Sequence, residues 1–107
     1  MVENDIEVKV IILNNASLGM VRQYQDAFFN GVRSASHLSR IPDLVKLGDA
    51  FGMKAMSTSR REEVGPMLDA ALAHKGPVLM NFDIDPMANV YPIVPLGQGL
   101  LDFVEAS

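Results

Sequence analysis

Between Val8 and Leu13 the chain is apolar at every position except Lys9, and Val8, Val10, Ile11 and Ile12 are β-branched. A nearly continuous run of this kind predicts a strand covered on both faces, as in a parallel sheet. It stops at Asn14 and Asn15. From Leu18 to Phe29 the period changes: Val21, Tyr24 and Phe28, flanked by Met20 and Ala27, form a stripe interrupted by Arg22, Gln23 and Asp26. That spacing predicts an amphipathic helix packing its Met and aromatic stripe into the core, with Asn30-Gly31 as a left-handed stop. Val32 to Ile41 has no period and reads as a loop crossing the surface.

Pro42 suits the first turn of a second helix, whose apolar side is Leu44, Val45, Leu47, Gly48 and Phe51, closed by Gly52. Met53 to Ser57 is a short strand candidate, and Ser59-Arg60-Arg61-Glu62 has the spacing of a capping box. Val64, Met67, Leu68, Ala71 and Leu72 follow with the clearest helical period in the chain, and His74, Lys75, Gly76 and Pro77 supply its stop. Val78 to Ile84 is a third strand with Met80, Phe82 and Ile84 on one face and Asn81 and Asp83 on the other. Tyr91 to Gly99, with two prolines and two glycines, predicts an extended segment, and Leu100 to Val104 a final helical turn.

Strands separated by helices, without hairpin turns, imply parallel crossovers and an α/β three-layer sandwich around a small parallel sheet of three strands. Such a sheet cannot close both faces and both edges, so self-association, most simply as a symmetric homodimer, is expected. The 107 residues suit one compact domain burying roughly 65% of its unfolded surface. A net charge of -4 and the lack of a basic stripe argue against nucleic acid. No apolar run approaches the length of a membrane span, and residues 1 to 7 are acidic and polar, unlike a secretory or transit signal, so a cytoplasmic location is expected. Without cysteine there is neither a disulfide framework nor a thiolate site.

Asn14 and Asn15 fall at the carboxyl end of the first strand, the edge at which open α/β sheets gather loops and helix amino termini around ligands. An amide oxygen there suits a hard cation such as Mg2+, commonly shared with a phosphate. Asn is equally an ordinary turn residue and helix cap, and residue type alone favours that structural role. His37, in the loop, has no acidic or histidine partner nearby and reads as solvated. Asp83 and Asp85 would share one side of an extended chain, but no third ligand accompanies them. No nucleophile or general base stands out.

The segment VKVIILNNASLGMVRQYQDAFF, continued by PDLVKLGDAFGMKA, GPVLMNFDIDP and NVYPIVPLG, resembles the carboxyl-terminal part of the acetohydroxyacid synthase (acetolactate synthase) catalytic subunit, from about Ile6 to Phe103. NNxxLGMV followed by Gln23, and later VYPIVP, are fairly specific to that enzyme. The double asparagine alone closes the thiamine-diphosphate signature of many decarboxylases and carboligases, so another such enzyme is the alternative.

The resemblance implies a partial thiamine-diphosphate-binding fold, residues 1 to 107 forming one carboxyl-terminal half-module. By position, Asn15 resembles the family's Mg2+-ligand asparagine, Ser17 occupies the site that gives the metal a backbone carbonyl, and Leu18, Gly19 and Met20 lie beside the cofactor. Tyr24 stands where these synthases often carry tryptophan, on the helix flanking the substrate channel, a departure that bears on the choice of second 2-keto acid. The Gly-Asp-Gly turn bearing the other metal ligand, and the glutamate that activates the aminopyrimidine, lie outside this sequence; Asp5, which precedes the strand, does not replace the former. The implied whole enzyme decarboxylates pyruvate on thiamine diphosphate and transfers the two-carbon unit to another 2-keto acid, in branched-chain amino-acid synthesis, with FAD also present in the family. The implied partners are the remaining domains or subunits, and the chain alone is expected to be inactive, with binding of no cofactor at all as one outcome. A non-catalytic, self-associating module is the competing expectation.

Overall fold

A computed structural model describes residues 1–105. A 3-10 turn at Val2–Asn4 precedes β1 (Lys9–Asn14), α1 (Gly19–Phe28), α2 (Leu44–Ala50) and β2 (Lys54–Thr58); a second 3-10 turn, Arg61–Glu63, leads into α3 (Val64–Ala73) and β3 (Val78–Asp83). The three strands form one parallel sheet in the order β1-β3-β2. The last strand is therefore central, and Val78 to Phe82 are buried throughout.

Register sorts the side chains into two faces. Met56 pairs with Met80 and Thr58 with Phe82. On that face Val78, Met80 and Phe82 pack against Ala71, with Met56, Val64, Met67 and Leu68 around them. This is the core, covered by α3. On the other face Ala55 pairs with Leu79. There α2 approaches so closely that a Cβ on Gly48 would lie 2.6 Å from the Ala55 Cβ and 3.5 Å from that of Leu79. Helix, sheet and helix make the expected three layers.

Several boundaries differ from the pattern for local reasons. Pro42 lies before α2 rather than in its first turn, and Asp43 is the cap, its Oδ1 accepting from Val45 N and Lys46 N at 3.1 Å each. The Ser59 to Glu62 capping box does not form. Thr58 takes its place, its hydroxyl donating to Glu63 Oε2 at 2.6 Å and accepting from Arg60 N at 3.0 Å. Leu72 lies off the core face of α3, being 72% exposed. The cation at the carboxyl end of α3 is Lys9, reaching from β1 to the carbonyls of His74 at 2.7 Å and Gly76 at 2.6 Å. Leu100 to Val104 is not a helical turn; Val104 instead bridges Ile93 in a short antiparallel contact.

Two larger departures concern coverage. β1 is an edge strand, and Ile11 and Leu13 are 52% and 65% exposed, because α3 reaches only β3 and β2. Nor does the Met and aromatic stripe of α1 enter the core: Met20, Val21 and Phe28 are exposed, whereas Arg22 and Gln23 are buried, each only 3% exposed. The consequence is an open molecule. Its radius of gyration is 17.6 Å, where a compact chain of this length has about 13 Å.

Truncating Met80, 1% exposed at the centre of the core, is expected to destabilise the chain by about 2–5 kcal/mol. Leu72→Ala on the outer side of α3 should cost no more than about 0.5 kcal/mol. Urea denaturation of the two variants checks both; equal losses would mean that α3 is turned differently.

Candidate functional site

The chain leaves β1 through two consecutive Asx turns. Asn14 Oδ1 accepts from Ala16 N, and Asn15 Oδ1 from Ser17 N, each at 3.1 Å. Ala16 is held at φ 50, in the left-handed region. The structural role of both asparagines is thus real. It does not exhaust Asn15, because an amide oxygen carries two acceptor positions and one remains.

Behind this turn runs the loop from Val32 to Ile41. Ser36, only 2% exposed, accepts at its carbonyl from Leu18 N (2.8 Å) and from the Ser17 hydroxyl (2.9 Å). Leu38 N donates to Ala16 O at 2.9 Å. The side chain of Ser17 is therefore turned towards the loop, while no hydrogen bond among the described residues engages its carbonyl. His37 bridges Ser17 through backbone and is exposed.

α1 starts at Gly19 with no side-chain cap at Leu18, so its first amides remain available to an anion. A Cβ on Gly19 would lie 2.7 Å from Asn15 Nδ2. Glycine here lets the asparagine amide rest on the opening turn of the helix. Leu18 and Met20 beside it are exposed. The sequence-predicted residues Asn15, Ser17, Leu18, Gly19 and Met20 are accordingly brought to one corner, where strand β1 ends and α1 begins.

Tyr24 lies one turn further on. Its hydroxyl donates to Val94 O at 3.1 Å, and its ring meets Phe28 at 5.2 Å between centroids. Together with Met20, Val21, Phe29 and Leu96 the two rings line an apolar groove of about 860 Å³. Asp83 and Asp85 do not form a carboxylate pair. The strand ends at Asp83, Asp85 caps a turn through Met87 N at 2.8 Å, and no cluster of three metal-ligating acidic, histidine or cysteine side chains occurs among the described residues.

Sequence reading missed the polar seam that carries α1. Gln23 Nε2 donates to Val90 O at 2.8 Å and its Oε1 accepts from Val90 N at 3.0 Å. Arg22 donates to Ala88 O at 2.8 Å, Asn89 Oδ1 at 2.7 Å and Asp26 Oδ2 at 3.0 Å. Arg33 closes on Asp26 from the loop, Nε to Oδ1 at 2.7 Å. The Arg33 hydrogen bond, aided by Arg22 and opposed by desolvation, holds the Asp26 carboxyl below its usual value. The one sequence sign was the interruption of the apolar stripe by Arg22 and Gln23.

The family described as thiamine pyrophosphate enzyme, C-terminal TPP binding domain, matches residues 1–82. The mitochondrial acetolactate synthase of Schizosaccharomyces pombe is 42% identical over 100 residues, 94% of this chain and 15% of that protein. The acetolactate synthase isozyme 2 large subunit of Escherichia coli is 37% identical over 100 residues, again 94% of this chain and 18% of the relative. Among solved structures, the thiamine diphosphate-dependent 4-hydroxybenzoylformate decarboxylase of Rhodococcus jostii superposes with a TM-score of 0.70 at 25% identity, covering 78% of this chain and 16% of that one. The chain thus spans less than a fifth of each of these relatives. No helix among the described residues is long and apolar enough to cross a membrane.

Because the Asp26 carboxyl titrates lower in the folded protein than in the unfolded chain, its two arginine contacts stabilise the α1 seam above the ordinary value of 3.8 and are lost as pH falls through the folded value. An NMR titration of Asp26 should give a midpoint below 3.8, with the Val90 amide losing protection from exchange over the same pH interval. A midpoint at or above 3.8 would contradict the arrangement.

Proposed function

We propose, for a chain that belongs to the family of thiamine pyrophosphate enzyme C-terminal TPP-binding domains, that the corner between β1 and α1 holds the cofactor's diphosphate through Mg2+. Thiamine pyrophosphate and thiamine diphosphate are the same molecule. In this reading Asn15 Oδ1 and the Ser17 carbonyl are metal ligands, and Leu18, Gly19 and Met20 line the cofactor. The observation that carries it is the cradle at Gly19: a side chain there would collide with the Asn15 amide at 2.7 Å, so the corner is built around where that amide sits. A neutral amide oxygen and a backbone carbonyl are hard donors suited to Mg2+, and the uncapped start of α1 suits a diphosphate.

When bound, thiamine diphosphate supplies the carbanion chemistry on a 2-keto acid. The residues of this chain bind and orient; none transfers a proton. The Asx turns fix the Asn15 amide, and the groove between Tyr24 and Leu96 offers an apolar lining beside the corner for a substrate channel that neighbouring domains would complete. Similarity over 94% of the chain to two acetolactate synthases supports an enzyme that decarboxylates pyruvate and transfers the two-carbon unit to a 2-keto acid, within branched-chain amino-acid synthesis. The module would then be one part of a larger catalytic subunit. The fold likeness to a decarboxylase keeps a different thiamine-diphosphate-dependent carboligase or decarboxylase as the second reading. The exposed flank of α1 and the β1 edge are where remaining domains or further copies of the chain would pack.

In the complete enzyme carrying this module, Asn15→Ala should raise the Mg2+ and thiamine diphosphate needed for half-maximal activity by tenfold or more, an estimate on the order of that for a lost metal contact, with circular dichroism unchanged. An unaltered requirement would leave Asn15 only its turn role. The purified 107-residue chain, given pyruvate, Mg2+ and thiamine diphosphate, should show no turnover. Measurable carbon dioxide release would overturn the half-module reading.

A further inference from the structure

The carboxyl ends of all three strands are joined by one series of side-chain hydrogen bonds lying on the α2 face of the sheet. Asn14 stands opposite Asp83 in the β1–β3 register, Asn81 stands opposite Ser57 in the β2–β3 register, and Asn81 and Asp83 share a face of β3. Asn14 Nδ2 donates to Asp83 Oδ1 at 3.2 Å, and Asn81 Nδ2 donates to the same oxygen at 3.0 Å and to Ser57 Oγ at 2.8 Å. We propose that Asp83 is a positioning residue for the cofactor corner, fixing through Asn14 the turn that presents Asn15 and Ser17. The proposal rests on the reading of that corner given above.

Donors and acceptors must match along this series. A carboxylate only accepts, so both neighbouring amides must turn their NH2 ends towards Asp83. For Asn14 this leaves Oδ1 aimed the other way, where it accepts from Ala16 N at 3.1 Å and closes the first Asx turn. Ala16 lies at φ 50, a conformation that a non-glycine residue keeps only when its surroundings hold it. The backbone adds a seal, Ile84 N donating to Asn14 O at 2.9 Å. For Asn81 the same orientation has a cost. Its Oδ1 has no partner among the described residues although Asn81 is only 5% exposed. Turned over, the amide would set its oxygen against the Asp83 carboxylate, so Asp83 and Ser57 together fix the way it points.

Asp83→Ala should release the Asn14 amide and with it the turn, while Asp83→Asn can still present an acceptor oxygen. Amide hydrogen exchange by NMR on the full 107-residue chain reads this directly. Exchange at Ala16 and Ser17 should accelerate by about tenfold or more in Asp83→Ala relative to Leu79 and Met80, and Asp83→Asn should recover most of the protection. Unchanged exchange at Ala16 and Ser17, or the same acceleration across the whole sheet, would overturn the proposal. The unsubstituted chain offers an independent reading: the side-chain NH2 protons of Asn14 and Asn81 must exchange slowly, and freely exchanging amides would overturn the proposal whether or not Asp83→Ala folds.

In the complete enzyme, Asp83→Ala should raise the cofactor and metal requirement about tenfold while kcat stays within about twofold. A fall in kcat at an unaltered requirement would contradict a positioning role. If Asn15→Ala leaves the requirement untouched, the reading of the corner as a cofactor site fails, and the exchange result still decides separately whether Asp83 sets the turn.

Discussion

Gln23 and Val90 exchange a reciprocal pair of hydrogen bonds, 2.8 and 3.0 Å, and on this pair the placement of α1 depends. Both ends of the amide are used, and Arg22 beside it reaches two acceptors on residues 88 and 89. With these two polar side chains buried, the inward side of the helix is its polar side. Its apolar side must then face away from the protein. The groove between Tyr24, Phe28 and Leu96 follows from that orientation, as does the availability of the helix start beside Asn15. A helix docked conventionally by Met20, Val21 and Phe28 would have filled the groove.

The sheet is complementary to this arrangement. β3 lies at the centre of the core, flanked by β2 and β1, and the two packed helices cover only part of the two faces of the sheet. Ile11 and Leu13 on β1 and the apolar flank of α1 remain open, which is how a chain of ordinary composition reaches a radius of gyration of 17.6 Å. Open apolar surface of this extent marks a contact surface.

How much of this was legible in the sequence depended on whether local or distant contacts decided the outcome. The β-branched run ending in Asn14 and Asn15, the three parallel strands and the Val64, Met67, Leu68, Ala71 face of α3 were all readable, because hydrophobic period and turn chemistry act over a few residues. That Asn15, Ser17 and Gly19 share one corner follows from their closeness in sequence, but their choice as candidate site residues came from the family resemblance, since residue type alone favoured a turn role. The outward rotation of α1 was not. Its amphipathic stripe suggested burial, but the partners of Gln23 and Arg22 lie 66 and 67 residues away, and no local pattern announces them. The Asn14–Asp83–Asn81 series was hidden likewise, since it exists only once the register of β1 and β3 is set. The Ser59 capping box failed because Thr58, one residue earlier, captured both Arg60 N and Glu63.

The central claim is that α1 is held by its polar side with its apolar side turned outward. Nuclear Overhauser spectroscopy on the isotopically labelled chain tests it most directly. The account predicts contacts from the Gln23 side-chain amide to Val90 and from the Tyr24 ring to Val94, and none joining Met20 or Phe28 to Ile11 or Leu13 on the sheet. Contacts of Met20 and Phe28 with the β1 side chains, accompanied by loss of the Gln23–Val90 contacts, would mean that the helix packs by its apolar stripe, and the account of the groove and of the exposed corner would be wrong.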